Sequence, residues 1–171
     1  MDFENKVLSR EISALLYEKN LTVGTAESCT GGRIAEAIIA TPGASSYFKG
    51  SIVSYVNEIK ENLLGVSHQV LEEQTAVCED VARQMVIGAC HTLNVDFAIS
   101  ATGIAGPGGG TKDIPVGTIW LACGTPNDVI TLKLSGDDGR DKNLETATYK
   151  AMQLFLEYLH NRLQDHEEHD V

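Results

Sequence analysis

Apolar positions at helical spacing open the chain. Phe3, Val7, Leu8, Ile12, Leu15 and Leu16 share a stripe, which predicts an amphipathic helix ending near Asn20. Leu21 to Thr25 then reads as a short strand rich in β-branched residues. Arg33 to Ala40 follows as a helix with Ile34, Ile38 and Ile39 turned inward, stopped by Thr41-Pro42-Gly43. A second strand is expected at Ser51 to Tyr55, and Asn57 is placed to cap a helix reaching about Leu64. Asp80 to Leu93 is a longer helix with Val81, Met85, Ala89 and Leu93 on one face, leading into a strand at Asp96 to Ser100. Two further strands, Gly117 to Cys123 and Val129 to Leu134, are separated by so short a segment that they must run antiparallel. The last helix is expected over Lys142 to Leu163, with Ala147, Ala151, Leu154, Phe155 and Tyr158 as its core face.

Helices alternating with strands early, and a hairpin late, imply an α/β fold: a mixed, mainly parallel sheet of about five strands between two helix layers. The 171 residues suit one domain, spanning 1–163, followed by an acidic tail at 164–171 that is expected to be disordered. His166 and His169 fall in that tail and read as solvated rather than metal-binding. A formal net charge of −11 with no offsetting basic cluster argues against nucleic acid and anionic membrane surfaces as partners. A small phosphate-bearing ligand stays compatible, since a few oriented N–H groups bind one locally. Cys29, Cys78, Cys90 and Cys123 are scattered without the paired spacing of a zinc site, so they read as free thiols in a reducing cytoplasm. The N-terminal residues lack the pattern of a signal peptide, and no apolar run is long enough to cross a membrane.

Candidate chemistry concentrates in loops that follow strands, where open α/β sheets collect their ligands. In Glu27-Ser28-Cys29-Thr30-Gly31-Gly32, a hydroxyl residue and two glycines precede a helix, which offers backbone N–H groups to a phosphate or an oxyanion. Ser28 or Thr30 acting only as a helix cap fits the same residues equally well. Cys29 has no histidine nearby in sequence to activate it and reads as a small packed side chain. In Tyr55-Val56-Asn57-Glu58-Ile59-Lys60, the plain reading is a solvated first turn. The chemical reading needs Lys60 desolvated beside Ser28, so that its neutral amine accepts the serine proton. Tyr55 suits either packing or a hydrogen bond to a ligand. Thr102 to Gly110 is a glycine-rich loop with neither the lysine of a phosphate-binding P-loop nor the helix of a dinucleotide fingerprint after it. Arg140, just before the last helix, is either a surface arginine or a phosphate or carboxylate ligand.

Taken in order and spacing, four stretches resemble the CinA C-terminal domain family, whose stand-alone members are nicotinamide mononucleotide deamidases. They are Thr25–Gly32, Ser54–Lys60, Thr102–Gly109 and Pro115–Thr118, and the resemblance covers nearly the whole chain. It implies a three-layer α/β/α sandwich with one antiparallel strand. It also implies hydrolysis of the carboxamide of nicotinamide mononucleotide to the nicotinate mononucleotide and ammonia, without metal or cofactor. On that pattern Ser28 is the nucleophile, Lys60 its general base and Tyr55 an assisting residue. Thr30, Gly31, Gly32, Asn57, Thr102, Gly103, Gly106 and Arg140 are the implied substrate-binding positions. The family further implies a cytoplasmic homo-oligomer acting on a small pyridine nucleotide.

Two features depart from the pattern. The turn Gly136-Asp137-Asp138-Gly139-Arg140 is expanded, with Leu144 where a second arginine is expected, and Cys78 replaces a helix-capping serine. The alternatives are a catalytically silent nucleotide-binding or protein-interaction module, or an amidase for another pyridine compound.

Overall fold

The computed structural model describes residues 2–168. Its elements are α1 (Phe3–Lys19), β1 (Val23–Glu27), α2 (Arg33–Ile38), a short 3₁₀ turn (Ala44–Ser46), β2 (Phe48–Val53), α3 (Asn57–Leu64), α4 (His68–Gln74), α5 (Glu79–Leu93), β3 (Phe97–Gly103), β4 (Ile119–Thr125), β5 (Asp128–Leu134) and α6 (Arg140–Glu168). The sheet order is β2-β1-β3-β4-β5. β1 pairs parallel with β2 and β3, whereas β4 runs antiparallel to both β3 and β5. The expected mixed α/β sheet is therefore present, with β4 the single reversed strand.

Each face of the sheet carries its own core. On one side Val23, Phe97, Ile99, Ile119 and Leu121 pack against Ile12 and Leu16 of α1, Ile34 and Ile38 of α2, and Met152, Phe155 and Leu159 of α6. The other side presents Ala26, Ala98 and Ala122 to Val81, Met85, Val86 and Ala89 of α5, with Ile52 and Leu64 beside them. Successive strand residues alternate between the faces, so the first face is bulky and the second is lined by small side chains. Small residues bring α5 close to the sheet. Close approach recurs at the α3–α5 crossing, where a Cβ on Gly88 would lie 1.9 Å from the Leu64 carbonyl oxygen.

Several boundaries differ from the sequence expectation, each for a local reason. The buried stripe of α1 is Asn5, Ser9, Ile12 and Leu16, while Phe3 and Val7 are exposed. Ser9 tolerates burial because its hydroxyl donates to the Ile38 carbonyl. Ile39 of the second expected helix is also exposed, since α2 ends at Ile38. α4 has seven residues and only Leu71 buried, too little for a periodic signal; Ser67 caps it by accepting from the Val70 N–H. β3 runs on through Thr102 and Gly103, taking the start of the glycine-rich stretch into the sheet. α6 continues to Glu168, because no Gly or Pro interrupts it, and residues 169–171, His169 included, lie outside the described residues.

The start of α2 is set by Glu27, whose side chain is fully buried at the end of β1. Its Oε1 accepts from the Thr30 hydroxyl and from the N–H groups of Gly32 and Ile34, at 2.8, 3.2 and 2.9 Å. Its Oε2 accepts from the Ala35 N–H and the Thr25 hydroxyl, both at 3.0 Å. One carboxylate thus serves as the cap of α2, a role normally taken by the residue immediately before a helix. Gly31 and Gly32, at φ +56° and +106°, let the chain double back to reach it.

Two stability outcomes follow. Gly88→Ala is expected to destabilise the fold by about 1–3 kcal/mol, because overpacking at Leu64 outweighs the helical preference for alanine. Urea unfolding checks this, and an unchanged or raised midpoint would contradict it. Glu27→Gln, nearly the same size, is expected to lose about 1–3 kcal/mol, because in either orientation its amide NH₂ faces a backbone N–H that can only donate. Thermal unfolding of that variant should show the loss.

Candidate active site

The chain order places β2 and β3 on opposite sides of β1, so a switch point lies between the C-terminal ends of β1 and β3. Ligands of open α/β sheets bind at such crevices. Ser28 is the first residue beyond β1, and its N–H donates to the Ala101 carbonyl of β3 at 2.9 Å. The Gly31 N–H then donates to the Ser28 carbonyl at 3.1 Å, closing a tight elbow that starts with the serine.

Lys60 comes to this elbow from α3. Although a lysine, it is among the largest fully buried side chains, at 1 % exposure. Its Nζ donates to Ser28 Oγ at 2.9 Å and to the Ser54 carbonyl at 2.8 Å. The Ser54 N–H in turn donates to the Glu27 carbonyl, so the segment holding Lys60 is tied to the strand carrying Ser28. Among the described residues no carboxylate forms an ion pair with Lys60. Burial without a countercharge disfavours the ammonium and lowers its pKa from the usual lysine value to about 8. The Cys29 thiol beside it moves the other way: burial pushes it up to about 11. Ser28, at 7 % exposure, thus has a buried amine in contact with its hydroxyl, while Cys29 stays a thiol at neutral pH.

The remaining expected positions divide. Thr30, Gly31 and Gly32 are at the elbow, but the Thr30 hydroxyl and the Gly32 N–H go to Glu27 and the Gly31 N–H to Ser28. These three groups are engaged within the chain, where a carboxylate already occupies the helix start. The N–H groups of Cys29 and Thr30 are different, because no other described residue supplies either with an acceptor. Tyr55 is 59 % exposed and Asn57 is exposed as the first residue of α3, with Val56 rather than Asn57 at the cap position. The Ser28–Lys60 contact includes neither.

Thr102 ends in the sheet with its hydroxyl donated to the Ala76 carbonyl, and Gly103 pairs with Ile119. Both shape the neighbouring edge from within the fold. The loop after them is held by α6. Arg140 Nη1 donates to the Gly106 carbonyl at 2.8 Å, and Asn143 Nδ2 donates to the Ala105 carbonyl at 3.1 Å. Asn143 also accepts from the Asp138 N–H and donates to Asp137, so the expanded turn is an ordered bracket for the loop. Arg140 is near enough to Cys29 for its charge to favour the thiolate there. Leu144 is buried at 1 % exposure in the core shared by α1, α2 and α6, so its side chain packs inward.

Glu27, Ser54 and Asn143 are the residues the sequence reading passed over. A charged residue closing an otherwise apolar strand ahead of two glycines was the available sign for Glu27; Ser54 and Asn143 gave none. Two clefts of about 360 and 380 Å³ lie elsewhere, one between α3 and α5 and one beside the N-termini of α1 and α6. Neither is lined by Ser28 or Lys60, and the first is mainly apolar helix surface with His91 at its wall. Among the described residues no helix is long and apolar enough to cross a membrane, and no group of His, Cys, Asp and Glu is placed to hold a metal ion.

Comparison with known proteins agrees with this architecture. The family model described as the CinA C-terminal domain matches residues 5–159. A CinA-like protein of Thermosynechococcus vestitus is 42 % identical over 159 residues, covering 91 % of this chain and 38 % of that protein. One from Leptospira borgpetersenii is 48 % identical over 118 residues, covering 69 % of this chain and 28 % of that one. The chain thus spans well under half the length of these curated relatives. Among solved structures, the competence/damage inducible protein CihA of Agrobacterium tumefaciens superposes with a TM-score of 0.89 at 35 % identity, over 94 % of this chain and 98 % of that one. A CinA superfamily protein of Escherichia coli gives 0.85 at 32 % identity, over 91 % and 92 %. With the family model covering both halves of the Ser28–Lys60 pair and the fold that joins them, the chain belongs to the CinA C-terminal domain family.

Proposed function

We propose that the chain hydrolyses the carboxamide of nicotinamide mononucleotide, releasing ammonia and leaving the nicotinate mononucleotide. The observation carrying this reading is the buried Lys60 Nζ, 2.9 Å from Ser28 Oγ and without a carboxylate partner. Simple titration with a pKa of about 8 makes roughly one Lys60 in ten neutral at pH 7, some two to three orders of magnitude more than for an ordinary lysine. In the neutral amine one N–H is held by the Ser54 carbonyl, which leaves the lone pair free to take the Ser28 proton.

The Ser28 oxygen then adds to the carboxamide carbon, and the carbonyl electron pair becomes an oxyanion. The unclaimed N–H groups of Cys29 and Thr30, directly after the nucleophile, are the donors suited to it. Collapse of the intermediate expels the amine, which leaves as ammonia with the proton carried by Lys60. Water adds to the acyl-serine, Lys60 again accepts a proton, and the nicotinate carboxylate departs as Ser28 recovers its hydrogen. Arg140, on the loop side of the elbow, is the cation that suits the substrate phosphate. The same reading makes the chain a cytoplasmic hydrolase of pyridine nucleotide salvage and a homo-oligomer, without metal, and with Tyr55 and Asn57 as rim residues reaching an incoming ligand.

Incubation with intact nicotinamide mononucleotide should release ammonia. Ser28→Ala should abolish release, and Lys60→Ala should lower it by about 10²–10⁴-fold, the usual weight of a positioned base. No ammonia from wild type at high enzyme concentration would overturn the substrate assignment. The pH dependence has a defined sign: Lys60 must be neutral to act, so kcat/KM should rise with pH through about 8 and fall as the group protonates below it. A profile flat from pH 6 to 9 would exclude Lys60 as the base.

A further inference from the structure

A count of hydrogen-bonding capacity around Lys60 leaves one donor and one acceptor unmatched. Once Lys60 has taken the Ser28 proton it is an ammonium with three N–H groups. Two have partners in the structure, Ser28 Oγ and the Ser54 carbonyl. The third has none among the described residues. Ser54 is fully buried, and among the described residues its Oγ is one of two buried side-chain polar atoms without a hydrogen-bond partner, the other being Asn5 Oδ1 on α1. A buried hydroxyl left unpaired is costly, and such exceptions call for a reason. Here the unpaired hydroxyl belongs to the residue whose own carbonyl already holds Lys60.

We propose that Ser54 is a positioning residue for the Ser28–Lys60 pair, its hydroxyl accepting the third N–H of Lys60 when the lysine becomes charged. The inference rests on Ser28 and Lys60 acting as nucleophile and base but not on the identity of the substrate. In the reactive form the neutral amine needs only the Ser54 carbonyl and Ser28. Proton transfer creates a buried cation, and the Ser54 hydroxyl completes its shell at that moment without importing a countercharge. A carboxylate in this place would hold Lys60 protonated and end its use as a base. A hydroxyl, being neutral, steadies the ion while leaving the amine able to lose its proton.

Few other groups bear on the lysine. From the β1–α2 loop, Cys29 is the titratable group whose charge acts on Lys60, with Glu27 and Arg140 acting on Cys29 in turn. α5 brings Gly88 to Leu64 and the uncharged Met85, Val86 and Ala89 to the same core, while β2 contributes Ile52 and the hydroxyl of Ser51, which is already bonded to Thr25.

The test compares Ser54→Ala, Ser54→Thr and Ser54→Val, with Lys60→Ala as reference, using a fluorophosphonate as the probe. Ser28 Oγ bonds to its phosphorus, fluoride leaves, and Lys60 takes the serine proton, so the rate reports the pair independently of nicotinamide mononucleotide. Mass spectrometry of the modified serine, from pH 6 to 10, gives the profile, and thermal unfolding confirms each fold. Ser54→Ala and Ser54→Val should react about tenfold or more slowly at the high-pH plateau, as expected for a lost hydrogen bond to a charged group. Their inflection should move to lower pH, because losing an acceptor disfavours the ammonium. Ser54→Thr, which restores the hydroxyl, should return both rate and inflection toward wild type; if threonine cannot be accommodated, the shifted inflection of a folded Ser54→Ala protein decides alone. Wild-type rate and inflection in Ser54→Ala would overturn the proposal, as would Ser54→Val matching Ser54→Thr. Wild type reacting no faster than Lys60→Ala would overturn the pair and this inference together. Normal probe chemistry without ammonia from the mononucleotide would instead reject only the substrate.

Discussion

A negative charge buried at the end of a central strand constrains everything around it. Glu27 lies where β1 gives way to the elbow, fully out of solvent, and such a group persists only when its lone pairs are met. They are met by hydroxyls of Thr25 and Thr30 and by three N–H groups at the start of α2. The carboxylate also sits at the positive end of that short helix, which its dipole favours. Strand, elbow and helix are consequently joined by one side chain, while its backbone carbonyl receives Ser54 from the neighbouring segment. The elbow cannot drift without breaking that set. It also cannot use the helix start to bind a ligand, because the protein's own anion fills that position. Chemistry is therefore confined to what lies just before the helix: the Ser28 hydroxyl and the two N–H groups that follow it.

The unequal faces of the sheet complete the arrangement. Small residues at Ala26, Ala98 and Ala122 let α5 settle close to the strands, and Gly88 then lets α3 meet α5 with backbone against backbone. With α3 so seated, Lys60 points inward to Ser28 instead of outward to water. Burial is what lowers its pKa, so tight packing several residues away is the physical source of the shift. The link runs from side-chain size to helix position to protonation state.

These dependencies decide what the sequence could disclose. Strands, long helices and their order follow from local apolar period, and α5 and the inner face of α6 came out accordingly, with Ala147, Ala151, Phe155 and Tyr158 buried. Elements whose form is decided by contacts between distant residues did not. The seven-residue α4 has one buried apolar side chain, and β1 extends through Glu27 because Glu27 pairs with Val53 and Ala101 on the flanking strands. Ser28 and Lys60 stood out as motif residues at matching spacing. Their 2.9 Å contact joins positions 32 apart, and no local pattern encodes it. The donors at the helix start were misjudged for a related reason: a glycine-rich helix entry looks open to anions unless one knows which way the preceding carboxylate turns. Leu144 illustrates the converse, since an apolar residue in a polar turn reads as a lost ligand until the core behind it is seen.

The arrangement sets function against stability in a definite direction. A lysine whose folded pKa is depressed binds fewer protons folded than unfolded across the interval from about 8 to its ordinary value near 10.5. Stability contributed through this group therefore increases with pH across that window and is withheld below it, where the folded state must either carry a buried cation or give up a proton that the unfolded chain keeps. An ion pair with a carboxylate would relieve the strain and abolish the base. Instead, neutral acceptors hold the amine, and the buried carboxylate of Glu27 turns to the start of α2 and to hydroxyls of Thr25 and Thr30 rather than to Lys60. Separating the two buried charges, each on its own set of hydrogen bonds, keeps the elbow rigid and leaves Lys60 able to change its charge.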